Sequence, residues 1–425
     1  MSPAAERLRR NIASLFTLQA AAYVIPLIMA PYLVRVLGPG QYGRTAFAMA
    51  IVQYFVVLAD YGFNLTATRQ AAILRDNPEA LSRLFNAVTV VKLGLTAAGF
   101  LALCGLLAVV PAMERDTGLY FACYLAVLGH VAFPVWLFQG LERMKIVTQC
   151  TIAAQVVVLV CVFSWVREPG DYRLAAGLQS AASLVAGLLS WAALRGVIQR
   201  ATAWPQRAYL REVVAQGWHV FVSTLAMSLY TATGTVILGF LATPAVVGYF
   251  AAADRLVKAV LGLLSPVSQA VFPHVARIRH RSRNEALLFL SGLLRWQGLA
   301  TLVVSTLLWA FAEPLVELLF GAAFSASTPL LRYMAFIPFV VGLSNVLGMQ
   351  TMLNFDMNRQ FSRVLLGSGL ANILLLLVLF DWFGVSGAAV SLFLTEAGVT
   401  IVMAVILFRK GLLPVLLGKG LNRGA

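Results

Sequence analysis

The chain has 425 residues, 60% of them hydrophobic and 12% charged, with a mean hydropathy of +0.84. A soluble domain carries about 25% charged residues, so the composition excludes a water-soluble globular protein and makes lipid the solvent for most side chains. Thirty-two Lys and Arg against 17 Asp and Glu give +15, a balance that elsewhere points to nucleic acid but here has to be read along the membrane.

One membrane span takes about 20 apolar residues. Apolar runs between charged or Pro/Gly-rich breaks predict helices at roughly 11–34, 44–66, 87–110, 118–139, 147–166, 175–195, 218–241, 247–272, 287–311, 330–353, 362–381 and 386–408. The expected fold class is therefore an all-α integral membrane protein with twelve transmembrane helices. Its loops are short, and they leave no room for a separate catalytic domain. Arg7, Arg9 and Arg10 precede an apolar run far longer than a signal-peptide core, with no small-residue cleavage site after it, so the first span is expected to stay in the protein.

With the N-terminus inside, 22 Lys and Arg fall on the inner side, from Arg7 through the run Arg277, Arg279, Arg281, Arg283 to Arg409, Lys410 and Arg423. The outer side has five: Arg35, Arg44, Arg115, Arg167 and Arg173. The positive-inside rule then sets both termini in the cytoplasm. Most of the +15 is topology signal, and nucleic acid is not an expected partner.

The longest inner loop, 196–217, lies midway, with six helices on each side. The expected organisation is an N-terminal lobe at 1–195, a cytoplasmic linker at 196–217, and a C-terminal lobe with its tail at 218–425. A shift of 205 places Pro39 on Pro244, Gly43 on Gly248, Ala46 on Ala251 and Ala48 on Ala253. Because six is even, the two lobes run the same way through the membrane, as a parallel internal repeat.

Under that shift, Gln53, Asp60 and Asn64 of the second helix fall on Lys258, Ser265 and Gln269 of the eighth. Spacings of seven and four put each trio on one helical face. The two stripes either line a polar cavity between the lobes or hydrogen-bond neighbouring helices together.

Asp254, Arg255 and Lys258 lie deep in the eighth helix, too far from its outer end for easy snorkelling. Arg255 and Lys258 would offer a planar fork and a point charge to a phosphate, with Asp254 limiting the positive charge. Alternatively, Asp254 and Lys258, four apart, neutralise each other as a buried pair. Lys92, Arg295 and Arg332 stand nearer helix ends, where snorkelling competes with a place in the cationic cavity. Arg35 and Arg44 flank the first outer turn, where basic residues are rare, and either line an exit or bind lipid phosphate. Glu396, beside Thr395 in the twelfth helix, is a candidate ion-coupling carboxylate together with Asp60, or else a protonated structural group.

Cys104, Cys123, Cys150 and Cys161 form no Cys-x-x-Cys pair, and His130, His219, His274 and His280 no ligand cluster, so neither a disulfide framework nor a metal site is expected. No phosphate-binding Gly-x-x-x-x-Gly-Lys-Ser/Thr loop is present, nor a Gly-x-Ser-x-Gly elbow or a long outer loop with paired carboxylates. No cofactor is expected, and the reading is not that of an enzyme.

Three blocks resemble a known family: PYLVRVLGPGQYGRTAFAMAIVQYFVVLADYGFNLTATRQ from Pro31, LYTATGTVILGFLATPAVVGYFAAADRLVKAVLGLLSPVSQAVFPHVARI from Leu229, and FGVSGAAVSLFLTEAGVT from Phe383. They are similar to bacterial polysaccharide flippases, the Wzx or O-antigen translocase branch of the multidrug/oligosaccharidyl-lipid/polysaccharide exporter superfamily. The resemblance implies two six-helix lobes, alternating access, and movement of undecaprenyl-pyrophosphate-linked oligosaccharide to the outer leaflet of the bacterial inner membrane for cell-surface polysaccharide biosynthesis. It implies a cationic cavity, which Arg255 and Lys258 match. Membrane lipids and polysaccharide polymerase machinery are the accompanying partners, and a monomer is expected. The alternatives are a multidrug or cation exporter of the same superfamily, for which an acidic cavity is expected, and a membrane-embedded glycan polymerase or ligase.

Overall fold

A backbone in lipid has to satisfy its own polar groups, which an apolar run does by forming a helix. The computed structural model describes residues 3–194 and 205–417, with side chains described except in 3–24, 226–227, 229–231, 265–266 and 269–270. In chain order the helices are α1 (Pro3–Asp60), α2 (Phe63–Ile73), α3 (Pro78–Val109), α4 (Pro111–Glu114), α5 (Thr117–Ala132), α6 (Val135–Gly140), α7 (Met144–Trp165), α8 (Tyr172–Leu194), α9 (Arg207–Leu241) and α10 (Pro244–Gly262). They continue with α11 (Leu264–Arg281), α12 (Arg283–Ala310), α13 (Ala312–Phe320), α14 (Ser327–Met334), α15 (Ile337–Ser344), a π-helical segment Asn345–Met352, α16 (Asn358–Phe383), α17 (Val385–Arg409) and α18 (Leu413–Leu416).

Among the described residues, nine helices are long and apolar enough to cross a membrane, and the first of them, Ile25–Ile73, takes in two of the expected spans. The expected spans at 218–241 and 247–272 fall on α9, α10 and α11, outside those nine. In α9 the apolar stretch is Ala232–Leu241, and α10 carries Asp254, Arg255 and Lys258. Contacts divide the chain into two units, Met1–Ser228 and Leu229–Ala425. The division falls inside α9, and of the expected linker, residues from Arg207 onward are helical while 195–204 lie outside the described residues.

In the first unit, α1 is broken at Gly38 (φ 66°, ψ 172°), a conformation open to glycine, and Pro39 begins the next helical stretch. The helix stops again at Asp60, where Tyr61 (φ 48°) and Gly62 (φ 77°) turn left-handed before α2. Tyr61 packs with Phe63, Leu84, Trp136, Leu137 and Phe138, and with Val213 and Phe221 from the start of α9. The Tyr61 and Phe221 rings stack with centroids 4.8 Å apart. Small residues let α5 and α8 approach closely, as in many membrane bundles: a Cβ on Gly187 would lie 2.8 Å from the carbonyl carbon of Ala132.

In the second unit, Val275, Leu290, Val346, Leu347, Met352 and Met403 form a core around the π-helical segment. The wide turn is held from inside: Thr351 Oγ1 donates to the Val346 carbonyl five residues back at 2.8 Å, and the buried Gln350 donates to the carbonyl and hydroxyl of Ser268 at 3.0 and 2.9 Å. Thr243 leads extended into α10, with Pro244 in its first turn, and α10 yields to α11 at Leu263.

The two units therefore repeat a detail. Pro39 and Pro244, matched by the shift of 205, both open a helical stretch. The first stretch ends in the left-handed turn at 61–62, whereas α10 passes into α11 at Leu263 with right-handed helical dihedrals, φ -70° and ψ -21°.

Candidate functional site

In the first unit the break in α1 carries an ion pair. Lys92 Nζ of α3 donates to Asp60 Oδ1 at 3.0 Å, with the side chains 4% and 13% exposed. Lys92 is thus held inside the bundle instead of snorkelling to an interface. Its depth follows from where α3 begins: Asn77 accepts a hydrogen bond from the Ala80 N–H at 3.0 Å, Pro78 takes the first turn and Glu79 sits at the positive helix end. These capping residues start the helix nine residues before the expected 87, so Lys92 lies mid-helix.

The stripe expected from Gln53, Asp60 and Asn64 does not run along one helix. Gln53, exposed, and Asp60 belong to α1, whereas the half-buried Asn64 lies beyond the left-handed break on α2. The side chains of Ser265 and Gln269, their counterparts, lie outside the described residues. Arg35 and Arg44 flank the Gly38 break and are both exposed; Arg35 is not free of partners.

In the second unit Lys258 Nζ lies 2.6 Å from Asp254 Oδ2 within α10, an i,i+4 pair in which the lysine side chain is 55% exposed and the aspartate 12%. Between them on the chain, Arg255 is half-buried and has no ion-pair partner among the described residues. The positive charge of this trio therefore rests on Arg255, since Asp254 and Lys258 largely offset each other. Asp254 also borders a cavity of about 20 Å³, room for one water, lined with Thr235, Asn372 and Ser391. Asn372, fully buried on α16, donates to Thr395 Oγ1 at 3.0 Å. Asn372 did not stand out in the sequence, although a single Asn inside an apolar run at 362–381 is the signal that finds it. Glu396, next to Thr395, is half-buried and engaged. Arg332 pairs at 3.4 Å with Glu313, both exposed, and Arg295 is exposed on α12.

Each unit thus pairs a carboxylate with a lysine, in the first beside the left-handed break and in the second within α10. Such an arrangement can hold anions and exchange partners, but it presents no nucleophile with a base.

The polysaccharide biosynthesis protein family matches residues 8–279. A protein of Escherichia coli (strain K12) named "Putative O-antigen transporter" is 34% identical over 398 residues, 93% of this chain and 95% of that protein. One of the same name from Shigella dysenteriae is 26% identical over 401 residues, 93% of this chain and 99% of that protein. The lipid II flippase MurJ in an inward closed conformation shares the fold with a TM-score of 0.73 at 11% identity, covering 95% of this chain and 90% of that one. An inward-facing multidrug resistance MATE family transporter of the MOP superfamily gives a TM-score of 0.69 at 12% identity, covering 92% and 95%. The family match over residues 8–279, well over half of the 425, settles the family: the chain belongs to the polysaccharide biosynthesis proteins.

Proposed function

We propose that this protein is a flippase that moves polyprenyl-pyrophosphate-linked oligosaccharide from the cytoplasmic to the outer leaflet of a bacterial inner membrane by alternating access. The observation that carries the reading is the charged group that each unit holds within its helices near the stretches opened by Pro39 and Pro244: the Asp60–Lys92 pair in the first, and Asp254, Arg255 and Lys258 in the second. Ionisable residues held inside membrane helices mark the pathways of substrates and ions. The curated relatives bear the name of O-antigen transporters, and the fold is that of a lipid flippase and of a multidrug transporter.

Within this reading Arg255 is the principal contact for the pyrophosphate, by its planar fork. Lys258, Asp254 and the Asp60–Lys92 pair set the charge around it, and phosphate arriving at either lysine competes with the carboxylate already there. Asp60 and Glu396 are the carboxylates available to couple an ion. The termini face the cytoplasm, and the lobes work as a monomer that passes cargo to a polymerase. The test is the lipid content of a deletion strain. One polyprenyl-pyrophosphate oligosaccharide should accumulate in the inner leaflet and disappear when the gene is restored. Drug sensitivity without lipid accumulation would favour the second reading, a drug or cation exporter, which the MATE likeness supports.

A further inference from the structure

Arg279, Arg283 and Lys410 were assigned above to topology alone, yet the second unit gathers them around one open cavity of about 890 Å³. Asp356 is the one carboxylate among its described lining residues, so three permanent positive charges face one negative charge. Arg279 is already turned inward. Its guanidinium meets Asp356 at 2.7 Å and lies 5.0 Å from the centre of the Phe355 ring. Arg283 and Lys410 are exposed and have no ion-pair partner among the described residues.

A second cavity, an apolar groove of about 510 Å³, runs between α16 and α17. The two adjoin along these helices. Gln360 of α16 lines both, while Ile406 of α17 lines the groove and Lys410, just past the end of that helix, lines the basic cavity. Gly367 and Gly398 keep the groove open, and a Cβ on either would meet nothing within 4 Å.

We propose that this composite is a binding site for a lipid phosphate: the phosphate or pyrophosphate occupies the basic cavity and a hydrocarbon chain lies in the groove. Basic pockets between membrane helices on the cytoplasmic side take up anionic headgroups, and both volumes are of ligand-site size. A phosphate entering here displaces Asp356 from Arg279. The site lies wholly within the second unit and does not depend on the flippase reading. A leaflet phospholipid and the polyprenyl cargo offer the same chemistry.

The experiment is native mass spectrometry of the full-length, delipidated protein titrated with phosphatidylglycerol, undecaprenyl phosphate, diacylglycerol and inorganic pyrophosphate. One phosphate-bearing lipid should bind, at least tenfold tighter than diacylglycerol. Arg283→Ala combined with Lys410→Ala, which changes two exposed residues and leaves the Arg279–Asp356 pair intact, should weaken both phosphate lipids and pyrophosphate at least tenfold. Gly398→Leu, which fills open space, should weaken the lipids tenfold and leave pyrophosphate unchanged. Preference for phosphatidylglycerol identifies a resident phospholipid; preference for undecaprenyl phosphate identifies a loading site for cargo. Diacylglycerol binding as tightly as the phosphate lipids, or unchanged lipid binding in either variant, overturns the proposal.

Discussion

Lys92 and Asp60 make the ion pair with the least access to solvent among those described, and its energetics can be separated from its use. Removing one partner of a buried pair leaves an uncompensated charge and costs about 3–5 kcal/mol, whereas replacing both with apolar or neutral groups is often close to neutral. Lys92→Ala should therefore lower the thermal unfolding midpoint of the solubilised protein sharply, and Lys92→Met with Asp60→Asn should recover most of it. If the double variant then fails to transport at normal protein level, the pair acts in the cycle as well as in the fold. Arg255 gives the opposite expectation. With no paired carboxylate to strand, Arg255→Ala should reach wild-type membrane levels and lose most glycan display, with Arg255→Lys rescuing only part because the planar fork is gone. Wild-type display by Arg255→Ala would remove it from the cargo site. Lys258→Ala should lower protein level as well, because it leaves Asp254 alone. Sequence spacing already offered the Asp254–Lys258 pair as one of two readings. The Lys92–Asp60 contact spans 32 residues and was hidden by a misplaced helix start, even though Asn77-Pro78-Glu79 spelled out the cap.

At the level of the helix, the positions of apolar runs were legible because lipid rewards one periodicity-free pattern, length. The interruption at Tyr61-Gly62 was not, since a left-handed turn leaves no mark in a hydropathy pattern. A glycine signals a left-handed turn only when the packing around it is known. Here a Cβ on Gly62 would lie 2.7 Å from Val220 Cγ1, so the break is also a seat for α9. The close contact of α5 and α8 yields a sharper test. Gly187→Leu forces side-chain atoms against Ala132 and should cost about 1–3 kcal/mol by overpacking, read as a lower unfolding midpoint. Gly94→Leu on α3, where a Cβ meets nothing within 4 Å, should leave it unchanged. Equal loss in both would mean that the α5–α8 approach is not the constraint.

For the whole molecule, charge asymmetry makes two predictions. Reporters fused after Gly118, Pro169, Thr243 and Asp381 should read as periplasmic, and those after Arg143, Arg207, Arg281 and Lys419 as cytoplasmic; a cytoplasmic signal at Thr243 would undo the parallel arrangement of the halves. A pyrophosphate diester carries about two negative charges, and an inside-negative potential favours moving each outward by about 2.3 kcal/mol per 100 mV. Flipping in proteoliposomes should therefore quicken with a potential set by potassium and valinomycin, without a proton or sodium gradient. Dependence on a proton gradient alone would shift attention to Glu396 and Asp60, with Glu396→Gln as the deciding variant. The family was legible at this scale from three blocks of sequence, while the way basic residues collect into a cavity was not, because Arg279, Arg283 and Lys410 are separated by up to 131 positions.

The left-handed break after Asp60 leans on a part of the chain made much later. Tyr61 stacks on Phe221, and a Cβ on Gly217 would lie 2.8 Å from the Tyr61 ring. During synthesis, then, the helices before α9 emerge well ahead of the α9 residues that close over this turn. Until α9 has left the ribosome, that turn has only the core of the earlier helices, Phe63 and Trp136 among them, to rest on. At elongation rates of about 5–20 residues per second, the roughly 150 residues between them amount to a wait of about 8–30 seconds. Ribosome stalling just before Gly217 should therefore expose the first unit to membrane proteases, and stalling some 40 residues after Phe221, once it has cleared the exit tunnel, should protect it.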